Sequence, residues 1–289
     1  MKIILSKLFI SSIGLILVFS SISFAEINQG NFVGAWLFDD ADGQKAMDLT
    51  GKSGSGTLHG DPRLVDGKIG RAIDFDGKND YVDIKLPEIF NDMSKNSFTI
   101  SFWIYVQDIS GSGTIWTRII EARFDNSNYL QFVIQINDGE LGVNSMVNGS
   151  EMTFIVNSPI KVDTWYYVTG IWEAAQKSLK LYLDGVLQLG KGTTPASPGT
   201  EKILTLGRRS DGNEETYFNG IIDEFAILNV AMTEDDIKNL MVNGLKVYAA
   251  VSSLGKLTNV WGNIKIGSVG CASPHRRQAK KNRDKKGKK

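Results

Sequence analysis

The segment between Ser97 and Val106 constrains the fold more than any other part of the sequence. Apolar side chains occupy every second position, and hydroxyl-bearing or aromatic residues take the positions between them. A period of two residues belongs to the β-strand, whose successive side chains point to opposite faces. The segment therefore predicts a strand with one fully buried face, formed by Phe98, Ile100, Phe102, Ile104 and Val106.

Further segments of the same kind follow at short intervals. Alternation, or a β-branched and aromatic composition, marks residues 129–136, 165–172, 179–183, 203–206 and 220–228. Asp184-Gly185 directly follows the third of these segments and is a tight hairpin pair. Because no helical periods separate these short strands, the pattern favours a sandwich or a barrel over a βαβ fold.

One short helix is predicted after the last of these strands. Thr233 can cap it, and Asp236 stands at the third helical position, as in a capping box. Asn243-Gly244 ends the helix. Ile237, Leu240 and Met241 are spaced i, i+3 and i+4, so they form one apolar face of this helix.

Residues 1–25 have the pattern of a secretory signal peptide. Lys2 and Lys7 precede an apolar run, and small residues lead to Ala25. The alternative is a retained membrane anchor, but the uncharged stretch is at the lower length limit for a span and contains several serines. We therefore expect a mature chain that begins at Glu26 and is secreted to the extracellular space or the periplasm.

The C-terminal end is basic and masks the charge of the rest of the chain. Residues 272–289 carry nine Lys and Arg and one Asp, although the whole chain is neutral. With this tail and the two signal lysines set aside, residues 26–271 have a net charge of −10. That charge argues against nucleic acid as a partner of the folded domain. Residues 246–269 are predicted to form a strap on the domain, and residues 270–289 a disordered tail that contacts anionic surfaces or is simply solvated.

The residue types that catalysis or a zinc site would need are scarce. The chain has one cysteine, Cys271, whose thiol could pair only between chains, and two histidines, His59 and His275. A glycosidase would need two carboxylates that face one cleft. Asp223 and Glu224 are adjacent, so we expect them to point to opposite faces of their strand. The chain is therefore predicted not to be an enzyme, and a glycoside hydrolase is the least favoured function.

Seven short segments carry a further signal when they are taken in order: Gly34–Asp39, Asp48–Gly51 with Gly56–Leu58, Gly70–Gly77 with Asp80–Val82, Phe98–Trp103, Trp165–Val168, Leu181–Gly185 and Phe218–Phe225. In this order they resemble the laminin-G-like jelly roll of the concanavalin A-like lectin/glucanase superfamily. The resemblance implies an all-β fold, a two-sheet antiparallel jelly-roll sandwich over residues 26–245, with one short C-terminal helix.

The same resemblance implies a structural calcium ion that joins the first strand to the closing strand. By this resemblance Asp223 would be the main ligand, and Asp39 and Asp48 are further candidates. Calcium prefers carboxylate and carbonyl oxygens of this kind. The alternative is that Asp48 and Asp223 only accept hydrogen bonds from the amides of turns.

A non-catalytic domain of this type is expected to bind a glycan or an extracellular or envelope protein. The candidate ligand-binding residues are Trp103, Tyr105 and Trp116, because exposed rings can stack on a sugar, and Arg208, which is predicted in a loop between two strands. The alternative for Arg208 is a place on the solvated rim of that loop. The competing interpretation is that large aromatic side chains, Trp36, Trp103 and Trp165 among them, fill the space between the two sheets. The alternative function is a structural or adhesion spacer without a small ligand.

Overall fold

The computed structural model describes residues 27–41, 44–85, 87–92, 94–109, 117–123, 131–137, 140–147, 150–192, 203–209 and 217–248. The predicted signal peptide, Trp116, Cys271, most of the predicted strap and the predicted tail lie outside these residues.

Sixteen strands in the described residues form two antiparallel sheets. In sheet A the order is β14 (Val186–Gly192), β13 (Ser178–Leu183), β12 (Trp165–Glu173), β7 (Phe98–Val106), β16 (Asn219–Leu228), β5 (Arg71–Asp76) and β4 (Arg63–Asp66). β1 (Phe32–Trp36) also pairs with β16. In sheet B the order is β11 (Ser150–Pro159), β10 (Glu140–Val147), β9 (Gln131–Asn137), β8 (Thr117–Arg123), β15 (Ile203–Leu206), β6 (Tyr81–Lys85), β3 (Gly56–His59) and β2 (Lys45–Ala46).

The two sheets enclose the main hydrophobic core between their inner faces. Sheet A contributes the predicted face of β7, and sheet B contributes apolar side chains of β6, β8 and β15 that are equally buried. Removing this apolar surface from water is the main favourable term in folding. The predicted fold class, an all-β jelly-roll sandwich of two antiparallel sheets with one short helix, is confirmed.

A second, smaller core lies between the outer face of sheet A and the helix α1 (Glu234–Asn243). Thr233 and Asp236 form the predicted capping box, and Gly244 is the C-cap residue. Ile237 and Leu240 of α1 pack in one cluster with Tyr167 and other outer-face side chains of sheet A.

Two 3-10 helices, Gln29–Asn31 and Glu88–Asp92, complete the regular structure of the described residues. Of the helices in this part of the chain, none has the length and apolar character needed to cross a bilayer.

The tryptophans divide between the two cores differently from the prediction. Trp36 lies between the sheets as expected, but Trp103 and Trp165 belong to the outer face of sheet A. The period of two explains this placement, because Trp103 alternates with the inward Phe102 and Trp165 is the cross-strand partner of Tyr105 on that face. The prediction that all three tryptophans fill the inter-sheet space was therefore wrong.

Candidate functional site

The outer face of sheet B carries a row of polar and aromatic side chains. Along β6, Val82 and Ile84 point into the main core, so Tyr81 and Asp83 point outward and remain partly exposed. The register pairs Asp83 with Thr205 of β15. α1 covers the outer face of sheet A. On this face of sheet B, Tyr81 and Asp83 of β6 and His59 of β3 stay partly exposed, whereas Thr205 and Glu121 on the two central strands are buried.

Tyr81 is the centre of a three-layer stack, which we call the Tyr81 stack. The ring of His59, its cross-strand partner on β3, lies parallel to Tyr81 with 4.3 Å between centroids and 5° between planes. The guanidinium Cζ of Arg208 is 3.4 Å from the Tyr81 centroid. If the His59 ring and the Arg208 guanidinium lay on the same side of the Tyr81 ring at these distances, they would overlap. The two groups therefore cover opposite faces of Tyr81. Cation–π and ring stacking each contribute about 1 kcal/mol in such settings.

The turn after β15 places Arg208 on this ring. Gly207 has φ +90°, and a Cβ added there would meet the Phe75 ring at 2.7 Å. The Gly207 amide donates to the Ile119 carbonyl at 2.8 Å, and its carbonyl accepts from the Phe218 amide at 2.7 Å. The next ring along, Tyr217, lies 6.5 Å from Tyr81 at 50°. A position that only glycine fits therefore holds the arginine on the outer face.

Charges on this face are balanced. The Thr205 hydroxyl donates to Asp83 Oδ1 at 2.9 Å, and His59 Nε2 lies 3.5 Å from Asp83 Oδ2. Glu121 of β8, the other cross-strand partner of Thr205, has Arg118 Nε 3.4 Å from its Oε2. Among the described side chains, the exposed part of this face combines the rings of Tyr81 and His59 with the Asp83 carboxylate and the Arg208 guanidinium, a set that is suited to a ligand rich in hydroxyl groups.

A second polar site, the carboxylate cluster, consists of Asp39, Asp223 and Glu224 beneath Lys246. Asp223 and Glu224 are almost fully buried. A β-bulge interrupts the pairing of β16 with β7 at this point, and Glu224 has φ +52°. The extra residue turns the Glu224 side chain toward the Leu245 amide, from which it accepts a hydrogen bond, on the same outer side as Asp223. The prediction that the two carboxylates point to opposite faces was therefore wrong.

Burial controls the protonation of this cluster. It raises the pKa of Asp223 and of Glu224 to about 7, even though backbone amides donate to both carboxylates. Burial alone would raise the pKa of Asp39, but the hydrogen bonds from Lys246 and from the Arg71 amide hold the pKa of Asp39 below its ordinary value. Lys246 Nζ is 2.6 Å from Asp39 Oδ2. One ammonium group thus faces three carboxyl groups, so the cluster retains protons close to neutral pH.

The three predicted metal ligands are only partly brought together. Asp39 and Asp223 belong to the carboxylate cluster. Asp48 instead accepts hydrogen bonds from the amides of Ala35, Thr50, Ser53 and Gly54 and from the Thr50 hydroxyl. This is the turn arrangement that the sequence offered as the alternative for Asp48. Within the described ranges, no group of three or more His, Cys, Asp or Glu side chains is arranged to hold a metal ion.

The predicted ligand-binding residues fall on different surfaces. Trp103 is only 7% exposed, packs on Tyr167 and has the Lys68 ammonium 4.6 Å from its ring. Tyr105 packs on Trp165 with 5.4 Å between centroids. Both lie on the outer face of sheet A, and Trp116 is outside the described residues. Arg208 is the predicted residue that reaches the outer face of sheet B.

The sequence interpretation missed His59, Tyr81 and Tyr217. A signal for Tyr81 was present, because Tyr81 and Asp83 alternate with Val82 and Ile84. His59 and Tyr217 have no local signal of this kind, since their place beside Tyr81 depends on strand pairing and on the turn after β15.

Comparisons with known proteins agree with the architecture. A family model described as the concanavalin A-like lectin/glucanases superfamily matches residues 76–238. Botulinum neurotoxin type X of Clostridium botulinum is 21% identical over 227 residues, which are 77% of this chain and 16% of the toxin. The chain thus spans only a small part of the curated relative that it matches.

Solved structures show the same fold. The binding domain of Paraclostridial Mosquitocidal Protein 1 superposes with a TM-score of 0.60 at 20% identity, over 73% of this chain and 52% of that one. Domain 4 of AbnA, a GH43 extracellular arabinanase from Geobacillus stearothermophilus solved with arabinotriose, has a TM-score of 0.56 at 21% identity, over 73% and 98%. The botulinum neurotoxin serotype D binding domain has a TM-score of 0.57 at 16% identity, over 74% and 52%.

Proposed function

Because the chain belongs to the concanavalin A-like lectin/glucanase superfamily, we propose that it is an exported, non-catalytic module that binds carbohydrate through the outer face of sheet B. The observation that carries this proposal is the Tyr81 stack, an aromatic and guanidinium platform beside the Asp83 carboxylate on a partly exposed face. The signal-peptide pattern of residues 1–25 supports export.

The chemistry of the platform favours a sugar. Asp83 supplies acceptors, and Arg208 supplies fixed donors, which together match neighbouring hydroxyl groups. Arg208 is partly exposed and its guanidinium lies over the Tyr81 ring. Its Nε is buried, so the donors that it offers to a ligand are those of its terminal NH₂ groups. The His59 side chain is 37% exposed and adds ring surface for the apolar side of a sugar. The structure of AbnA domain 4 with arabinotriose supports a glycan as the ligand class.

A glycan array tests the proposal. The chain from Glu26 onward, applied with calcium present, is expected to bind a defined subset of the immobilised glycans. Silence on every glycan would contradict carbohydrate binding and favour the structural or adhesion spacer instead.

Calcium remains part of the proposal, and the carboxylate cluster is where it would bind. Within the described residues, the buried atoms Asp223 Oδ1 and Glu224 Oε1 have no hydrogen-bond partner, which supports a further cation there. The fit is incomplete, because Ca²⁺ takes six to eight oxygen ligands and Lys246 already pairs with Asp39. Backbone carbonyls or water would have to complete the ligand set.

A melting experiment decides the question of calcium. If the cluster holds the ion, a chelator lowers the midpoint of thermal unfolding of the wild-type protein and has little effect on Asp223→Asn. An unchanged wild-type midpoint would remove calcium from the proposal.

A further inference from the structure

A cavity of about 400 Å³ lies between the N-terminal segment and the C-terminal half of α1. Asn28 and Gln29 form one wall, and Asn239 and Asn243, one helical turn apart, form the other. The volume is within the range of small-molecule sites. The cavity lies on the α1 side of the molecule, away from the Tyr81 stack, so it is independent of the function proposed above.

The four carboxamides offer both donors and acceptors to the cavity. Asn28 Oδ1 accepts from the Gly30 amide at 2.8 Å, which leaves its amino group available. Asn243 Nδ2 donates to the Asn239 carbonyl at 2.9 Å, which leaves its Oδ1 available. Gln29 and Asn239 are exposed, so each can turn its complete amide group to water or to a ligand.

The backbone of both walls is held in place by contacts within the domain, while the four carboxamide side chains are exposed. The Ile27 amide donates to Asp236 Oδ1 at 3.3 Å, which ties the N-terminal segment to α1. Asp236 is itself fixed by the capping box with Thr233. Tyr248, which also lines the cavity, packs on Phe32 with 5.1 Å between ring centroids. A preorganised site of this kind loses less conformational freedom on binding.

We propose that this cavity binds one neutral sugar unit. None of the described residues that line it is charged, so among them a charged ligand would lose its hydration without gaining a counter-charge. Sugar hydroxyls both donate and accept, and they lie around the ring, where carboxamides on two facing walls can reach them. The apolar face of the sugar packs on Ile27 and Tyr248. An extended peptide presents its hydrogen-bonding groups along two edges and matches facing amide walls less well.

Side-chain amide resonances in NMR spectra give a direct test. The chain from Glu26 onward is titrated with methyl α-D-mannopyranoside, methyl β-D-glucopyranoside and methyl β-D-galactopyranoside, and in parallel with methyl β-D-glucuronide and N-acetylglycine N-methylamide. At least one neutral glycoside is expected to shift the amide signals of Asn239 and Asn243 saturably, and the glucuronide is expected to shift them less.

Matched variants separate the cavity from a general effect. Asn239→Asp keeps the shape of the side chain but replaces the amide with a charge, so binding should weaken about tenfold or more with the melting midpoint retained. Gln176→Glu makes the same change in the exposed turn after β12 and should bind like the wild type, as should Arg208→Ala. The proposal is overturned if no neutral glycoside shifts these signals, if the glucuronide or the peptide analogue binds more tightly, or if Asn239→Asp binds normally.

Discussion

Asp223 and Glu224 are buried where a carboxylate is difficult to ionise. Burial raises the pKa of both to about 7, and Glu224 also adopts a left-handed backbone conformation at φ +52° that costs about 1–2 kcal/mol for a residue other than glycine. Glu224 lies in the β-bulge of β16, and this bulge brings the two carboxyl groups to one side of β16, beneath Lys246. Strain of this kind persists only where surrounding contacts fix it.

The free energy of unfolding should depend on pH through these two residues. The folded state binds their protons up to about pH 7, whereas in the unfolded chain both groups ionise near their ordinary values of 3.8 and 4.5. Because the folded state then holds more protons, stability is greatest below about pH 4 as far as these groups are concerned, falls as the pH rises to about 7, and levels off above it. Urea unfolding in chelator across this range measures the slope.

Asn and Gln cannot titrate, so Asp223→Asn with Glu224→Gln should flatten the profile between these limits. The contribution of Asp39 has the opposite sign, because its pKa is lowered. Its stabilisation is present above its ordinary value of 3.8 and is lost on further acidification. If the stability of the wild-type protein changes between pH 4 and pH 7 in the same way as that of the double variant, the raised pKa values are contradicted.

At the scale of elements, strands with strong alternation were predictable from sequence. β7 and α1 were predicted within one residue of their observed bounds, and the Asp184-Gly185 hairpin has positive φ at both residues. β10 and β11 were not predicted, because their sequences mix polar and apolar residues without a clear period. Their pairing, with Val147 opposite Ser150, is a property of the sheet rather than of either segment.

The candidate site was less predictable than the fold for a related reason. The residues of the Tyr81 stack come from three parts of the chain that are distant in sequence. His59 belongs to β3, Tyr81 belongs to β6, and Arg208 lies in the turn after β15. Arg208 was predicted as a loop residue, but its contact with Tyr81 depends on the turn at Gly207. Large aromatic residues were favoured as ligand-binding candidates, whereas the tryptophans that the structure describes are mostly buried in the two cores.

The turn after β15 gives a prediction at this scale. Gly207→Ala should lower the free energy of unfolding by about 3 kcal/mol, because strain at positive φ adds to a clash with the Phe75 ring. Gly51→Ala is the matched control, since Gly51 also has positive φ but a Cβ there meets nothing within 4 Å. It should cost only about 1 kcal/mol. Equal losses for the two variants in urea denaturation would show that close packing at Gly207 does not hold the turn.

In the whole molecule, the two outer faces of the sandwich differ in what lies on them. α1 and the segments around it cover the outer face of sheet A with a second hydrophobic core. On the outer face of sheet B, Glu121 and Thr205 are buried, whereas the Tyr81 stack and Asp83 stay partly exposed, which is why we propose the ligand site at the stack. Fold alone does not determine the function of a domain, so the proposed carbohydrate binding depends on the Tyr81 stack rather than on the sandwich.

The affinity of the strongest glycan from the array for Arg208→Ala, compared with the wild type and Lys68→Ala, tests this claim most directly. Lys68 also places a cation over an aromatic ring, Trp103, but on sheet A, so it is a matched control. Titration calorimetry should show binding weakened about tenfold or more by Arg208→Ala and unchanged by Lys68→Ala, with both variants folded and their melting midpoints lowered by no more than a few degrees. Unchanged affinity of Arg208→Ala, or a larger loss with Lys68→Ala, would contradict a carbohydrate site at the Tyr81 stack.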